Sequence, residues 1–289
     1  MKPFPIPVVP VGPGSQTEES PEYLAMPSGM NTFQAPRLPE GARAEDLARS
    51  VCLLETLLGV MRTTPLEGAS APQVDLTGES AGVREVLTQS LGFGEVSAFT
   101  LAPARYRVQE TAFPALWRVL EQGEGEDSGE AAPIVADRLV ACAVPPELYA
   151  AMRATTLAEL PVPPLLPQMM NGEALLAEVQ QQSALHKPGR PAHVINLTLL
   201  PVTESDLDYL YGALGHREVS ILSRGYGNCR VTSTRLAHVW WVQYFNSMDT
   251  LILNTLEVVD MPDVVLAAPE DYQDSIERLG EYIEMLREE

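Results

Sequence analysis

The stretch VDLTGESAGVREVLTQSLGFGEVSAF, Val74 to Phe99, returns in altered form as INLTLLPVTESDLDYLYGALGHREVSIL, Ile195 to Leu222. Each runs from a short strand ending in Leu-Thr, through a helical segment, to Leu-Gly-x-x-Glu-Val-Ser. From there the two segments keep a constant offset of 123 residues: Leu91-Gly92 with Leu214-Gly215, and Glu95-Val96-Ser97 with Glu218-Val219-Ser220. Arg107-Val108 then matches Arg230-Val231, Thr111 matches Thr234, and Trp117 matches Trp240. After a loop six residues longer in the first segment, Leu139 and Pro145 match Leu256 and Pro262. Matches this numerous at one offset predict a duplication. The period exceeds that of solenoid repeats, so the expectation is two tandem copies of a small domain.

Each copy reads as strand, helix, then several strands. In the second, Thr203 stands as N-cap before a helical pattern. EVSIL, RVTSTR, HVWWVQYF and TLILNTLEVV are rich in β-branched and aromatic residues between turn signals. The expected class is α+β, each copy a mostly antiparallel sheet with a packed helix. The first forty residues hold nine prolines, which remove amide donors, so residues 1–42 read as a flexible, extended arm. Residues 43–158 form the first repeat with a leading helix, in which Leu47, Val51, Leu54, Leu58 and Met61 make an apolar stripe. Cys52 beside that stripe is expected to be a small core residue. A proline-rich connector (159–172) leads to the second repeat (173–289). Its end spaces Ile276, Leu279, Ile283 and Leu286 on one face, an amphipathic helix expected to dock on the second copy.

Charge excludes several roles. With 19 basic and 39 acidic residues the formal net charge is −20, which repels phosphate backbones and anionic lipid. Nucleic-acid binding is therefore not expected, and a basic protein partner is favoured. The Glu121–Glu130 loop concentrates acid and is a candidate attractor for such a partner. Three separated cysteines, Cys52, Cys142 and Cys229, fit a reducing compartment. No run approaches the roughly 20 apolar residues of a membrane span, so a cytoplasmic protein without direct membrane insertion is expected.

Matches between the copies separate scaffold from specialisation. Trp117 and Trp240 are shared and read as core anchors. Gly225, Tyr226, Gly227, Asn228 and Cys229 lie opposite Ala102-Pro103-Ala104-Arg105-Tyr106, and His238 lies opposite Ala115. These six belong to the second copy alone. They read either as a thiol and an imidazole displayed together, or as a turn requiring positive φ followed by strand residues. Zinc or an iron–sulfur cluster normally takes three or four protein ligands. Here Cys229 and His238 are the close pair, with His216, His193 and His186 farther off. A nucleophilic cysteine also needs an oxyanion hole that the sequence does not display. No catalytic, cofactor-binding or metal-binding residue is therefore assigned, and the six are expected to face a protein partner.

GYGNCRV, HVWW and LNTLEVVDMPDVVLAAPEDYQDSIERL resemble the C-terminal region of the HupH/HyaF family of hydrogenase expression proteins. Val264 to Asp271 resembles that family's most distinctive string. VGPGSQ, FPALWRV, MNGEALL and HVINLTLLPV extend the resemblance over nearly the whole chain. The resemblance implies a cytoplasmic accessory protein in maturation of a membrane-bound [NiFe] uptake hydrogenase. Its implied partners are the iron–sulfur small subunit precursor, held before export, and other hydrogenase accessory proteins. It implies no enzymatic activity and no cofactor. A redox or metal-handling role for Cys229 and His238 in cluster assembly is the alternative. A regulator of hydrogenase genes is disfavoured by the acidity and the lack of a basic recognition element.

Overall fold

The structure is a computed structural model describing residues 33–67, 70–123, 132–157, 159–216, 218–225 and 227–288. The arm before residue 33, residues 124–130 of the acidic loop, and Tyr226 lie outside the described residues. The first half contains α1 (Ala44–Met61), β1 (Gln73–Asp75), α2 (Ala81–Leu91), β2 (Val96–Thr100), β3 (Arg105–Glu110), β4 (Leu116–Gln122), β5 (Ile134–Ala141) and α3 (Pro146–Ala154). The second contains α4 (Gly172–Leu185), β6 (His193–Asn196), α5 (Glu204–Leu214), β7 (Val219–Ser223), β8 (Asn228–Ser233), β9 (Val239–Phe245) and β10 (Leu251–Val258). A 3₁₀ turn (Asp263–Val265) and α6 (Pro269–Glu288) end the chain. The fold is α+β, with six α-helices among the described residues and the expected C-terminal helix.

All ten strands form one antiparallel sheet in the order β1-β5-β4-β3-β2-β7-β8-β9-β10-β6. The two halves meet edge to edge through β2 and β7, where Val96 pairs with Ser223, Ala98 with Ile221 and Thr100 with Val219. The 123-residue offset maps the first of these pairs onto the last and leaves Ala98–Ile221 at the centre. A local two-fold relation therefore runs through the middle of the sheet. This pairing removes two edges that separate units would expose, leaving the three-residue β1 and four-residue β6 outermost.

Strand alternation sends side chains to two layers. On one face α1, α2 and α6 cover Leu116 and Leu139, while α4 and α5 cover Trp241 and Leu256. On the other, Trp117, Val119, Trp240 and Val242 share a core with Leu148 and Met152 of α3 and Val265 of the 3₁₀ turn. Trp117 and Trp240 are fully buried, as their repetition predicts. Each indole meets its polar need in the same way: Trp117 Nε1 donates to the Cys142 carbonyl at 2.9 Å and Trp240 Nε1 to the Val259 carbonyl at 3.2 Å.

Two expectations are corrected. The terminal helix packs on the first half, its Tyr272, Ile276, Leu279 and Ile283 lying among Leu54, Leu57, Leu87 and Phe113. Its amphipathic face was legible, but an apolar stripe carries no information about which sheet it covers. Cys52 is exposed, because the buried stripe of α1 broadens through Leu53 and Leu57 and leaves Cys52 on the solvent side of the helix. The described end of the arm is extended and pinned: Gln34 bridges Phe93, and Tyr282 Oη donates to the Arg37 carbonyl at 2.7 Å.

Candidate functional site

The β7–β8 hairpin carries the glycine turn. Ser223 pairs with Cys229 at its base. Of its two glycines, Gly227 adopts φ 102°, a region that favours glycine. Gly225 makes room of a different kind: a Cβ there would meet Glu95 Oε2, so any larger residue must displace that carboxylate. Asn228 Nδ2 reaches Asp249 Oδ1 at 3.3 Å across the neighbouring turn. Cys229 points into the Trp240 core, 1% exposed, and burial is the main cause pushing its thiol up to about 12. A thiol held neutral is a poor nucleophile and metal ligand.

The structure does not bring Cys229 and His238 together. Cys229 pairs with Tyr244 near one end of the β8–β9 ladder, and Ser233 pairs with Trp240 near the other, beside His238. At about 3.3 Å per residue the two side chains are on the order of 15 Å apart. The redox or metal reading built on that pair therefore loses its geometry. Spacing along the chain suggested proximity because it could not reveal that the eight intervening residues are a strand and its turn.

What Gly225 joins instead is a cleft of about 390 Å³ at the junction of the halves. Arg224 N donates to the Glu95 carbonyl at 3.1 Å and ties the turn to the first half. Glu95, Glu110, Gly225, Val265, Asp271 and Arg278 are among the residues lining it. The family-like string Val264 to Asp271 thus forms one wall and the glycine turn part of another. The carboxyls of Glu95 and Asp271 face one guanidinium, and that of Glu110 adds charge only as pH rises through about 7, so the cleft favours a cationic guest. Arg278 is already engaged with Asp274 Oδ2 at 3.3 Å and stacks over Phe113.

Glu110 is the residue that sequence reading missed. Its counterpart at the 123-residue offset is Ser233, and both cap the same place: Val219 N donates to Ser233 Oγ at 3.1 Å, Val96 N to Glu110 Oε2 at 3.3 Å. The first half has therefore put a carboxyl where the second has a hydroxyl. That contrast between Glu110 and Ser233 is the signal the sequence carries for this residue. Burial raises the Glu110 carboxyl to about 7 against hydrogen bonds that pull it down. A pKa raised in the folded state gives stability that is full below the unfolded value near 4.5 and is lost as pH rises through about 7. We expect Glu110→Gln to remove this slope and to be more stable than wild type at pH 8 by about 1–3 kcal/mol. Urea denaturation at pH 5 and pH 8 measures it; parallel pH profiles for the two proteins would refute the assignment.

His238 has a different set of neighbours. It adopts φ 58°, and Ala115 adopts φ 65° at the corresponding turn of the first half, so the turn conformation is common and the imidazole is the addition. His238 meets His186, at the C-terminal end of α4, with ring centroids 4.4 Å apart. His186 Nε2 lies 3.0 Å from Asp260 Oδ1, and His238 Nδ1 lies 3.2 Å from the same oxygen. Burial lowers the His238 pKa, with His186 adding to that effect, while Asp260 opposes it. Asp260 stays below its ordinary range: burial acts to raise it, but the hydrogen bonds from His186 and Gly189 and the two nearby imidazoles together prevail. His193 is elsewhere, paired with Glu178 at 2.8 Å, and His216 lies beside Tyr211 and Trp241. Neither the α4 helix end nor Asp260 was assigned from sequence, since no short spacing links 186, 238 and 260.

Residues 169–286 match the family model described as the HupH hydrogenase expression protein, C-terminal conserved region. The chain is 40% identical over 286 residues to the hydrogenase expression/formation protein HoxQ of Cupriavidus necator, covering 98% of each chain. It is 40% identical over 287 residues to HupH of Rhodobacter capsulatus, again 98% of each. The hydrogenase-1 operon protein HyaF of Escherichia coli is 33% identical over 289 residues, 96% of each. The solved structure of the hydrogenase expression protein HupH from Thiobacillus denitrificans is 27% identical, with a TM-score of 0.36, and covers 38% of this chain and 92% of that one. Near-complete coverage at this identity, with the glycine turn and the Val264–Asp271 wall inside the matched region, places the chain in the HupH/HyaF family of hydrogenase expression/formation proteins.

Proposed function

We propose that this protein is a non-catalytic assembly factor in [NiFe] hydrogenase maturation that holds the iron–sulfur small subunit precursor before export. The observation that carries this reading is the acidic cleft between the halves, walled by the Gly225 turn and the Val264–Asp271 segment. An export signal bearing arginine offers the cationic group that such a cleft accepts. Asn228 extends the same turn, and we assign Gly225, Gly227 and Asn228 to the contact surface. Tyr226 completes the sequence of that turn. Cys229 supports it from the core, and His238 lies apart in the β8–β9 turn at the other end of β8. Among the described residues no helix is long and apolar enough to cross a membrane, which fits action on a precursor in the cytoplasm. Other accessory proteins of hydrogenase assembly are its further expected partners.

We also infer that residues 43–158 and 173–289 are two copies of one unit joined by the 159–172 connector. The matching strand order outward from β2 and β7 supports this, as do the paired tryptophan bonds and the two-fold register.

Gly225→Val tests the binding surface. Glu95 is exposed, so its carboxylate can swing aside while the fold persists, leaving the valine in the cleft. Association with a small subunit precursor should weaken at least about tenfold, or about 1.4 kcal/mol, and raising salt should slow association of the wild type. Unchanged affinity with the folded variant, or salt-independent association, would refute the cleft.

A further inference from the structure

We propose that His186, His238 and Asp260 bind one divalent transition-metal ion, with a coordination position left open. Three elements far apart in sequence converge here: the end of α4, the β8–β9 turn, and the segment after β10. One ligand atom from each lies within 4.8 Å of the others. Tetrahedral nitrogen and oxygen ligands about 2.0–2.1 Å from zinc stand roughly 3.3 Å apart. The separations of 3.0 Å and 3.2 Å from Asp260 Oδ1 to the two imidazole nitrogens are close to that value.

The cluster does not close as a hydrogen-bonded triad. His238 Nδ1 is buried and makes no hydrogen bond, although Asp260 Oδ1 lies 3.2 Å away. Buried polar atoms left in this way are uncommon in native proteins and call for a specific reason. An ion between the three groups supplies the missing partner. Surrounding bonds hold the ligands in place without occupying the shared oxygen. Gly189 N donates to Asp260 Oδ2 at 2.9 Å, leaving Oδ1 for the two rings. Ser183 Oγ donates to the Ala237 carbonyl at 2.7 Å and fastens the end of α4 to the turn that carries His238. Val259 N donates to the His238 carbonyl at 2.8 Å. Such outer bonds are what fix the orientation of metal ligands.

Ligand chemistry selects the ion. Two imidazoles and one carboxylate suit Zn²⁺, Fe²⁺, Co²⁺ or Ni²⁺, rather than Ca²⁺ or Mg²⁺, which take oxygen, or Cu⁺, which takes thiolate. Three protein ligands are the number found where a site keeps a position for water or another ligand. One carboxylate leaves a divalent ion with residual positive charge, and Arg153 is electrostatically close to His238. The open position therefore takes hydroxide or an anionic group, and binding is weaker than in a closed structural site.

The test uses the full chain, stripped with chelator and titrated with Co²⁺ and with Zn²⁺. We expect one ion per chain by equilibrium dialysis, visible ligand-field bands of four- or five-coordinate Co²⁺, and a rise in Tm with Zn²⁺. His186→Ala and Asp260→Asn should each weaken binding at least about tenfold and abolish the Tm rise. His193→Ala should leave both unchanged. His238→Asn keeps a side chain tolerant of positive φ, so it removes the ligand while sparing the turn if another variant misfolds. Circular dichroism reports the fold. Absence of cobalt bands and of a zinc-dependent Tm rise in the wild type would overturn the proposal. So would retention of one bound ion by natively folded His186→Ala and His238→Asn proteins.

Discussion

Asp206→Ala is expected to destabilise the protein by about 3–5 kcal/mol at pH 7. No other described carboxylate joins so many backbone groups. Its Oδ1 accepts from Met170 N at 2.8 Å, Asn171 N at 2.8 Å and Gly172 N at 2.7 Å. Its Oδ2 accepts from Thr203 N and Thr203 Oγ1, both at 2.8 Å, completing the capping box of α5. One buried side chain thus serves the amino ends of both α4 and α5, where free amides and the helix dipole favour a negative charge. Burial acts to raise its pKa, but these bonds outweigh burial and hold it below the ordinary value of 3.8. A depressed pKa contributes stability above the unfolded value, which is lost as pH falls through the folded one. The gap between wild type and variant should therefore narrow in acid. Urea denaturation at pH 7 and pH 3 measures this; an equal gap at both would show that the charge is irrelevant.

Trp240→Ala should cost about 3–5 kcal/mol through the lost apolar contact and the cavity left behind. The cavity would open in the layer that joins the two halves, where Trp117, Val119, Val242 and α3 residues cannot close it without shifting strands. Trp240→Phe should cost less, about 1–3 kcal/mol, mainly by leaving the Val259 carbonyl without its 3.2 Å donor. Trp117 is expected to behave alike through the Cys142 carbonyl. Guanidinium denaturation followed by circular dichroism reads both series, and a loss below about 1 kcal/mol for either alanine variant would contradict the packing.

The strands, α2, α5 and α6 were legible because hydrophobic period and caps are local properties. Thr203 and the run after it specify a helix start wherever the helix goes. The β2–β7 junction was not legible, because edge pairing depends on which edges remain free after each half folds. Helix α4 was passed over, its Leu175, Leu176 and Val179 giving too short a stripe beside the proline-rich connector. Of the candidate site, the Gly225 turn and the Val264–Asp271 string were visible as motifs. Their approach to Glu95 and Glu110 was not, since it depends on the sheet's continuity. His238 stood out as a residue of the second copy alone, but its meeting with His186 and Asp260 was hidden for the same reason, since no short spacing links the three segments.

The terminal helix has a consequence for the order in which this chain can mature. Tyr272 Oη donates to the carbonyls of Met61 at 3.2 Å and Thr64 at 3.3 Å, joining residues more than two hundred positions apart. Ile276, Leu279 and Ile283 fill the core beneath α1 and α2. During synthesis the first half therefore emerges with one of its walls still unmade, even though all its own strands are present. Domains made from the amino end usually finish in sequence as they leave the ribosome. Here α6, which follows every strand in sequence, completes the first unit begun, so that unit closes only after the strands of the second have been made.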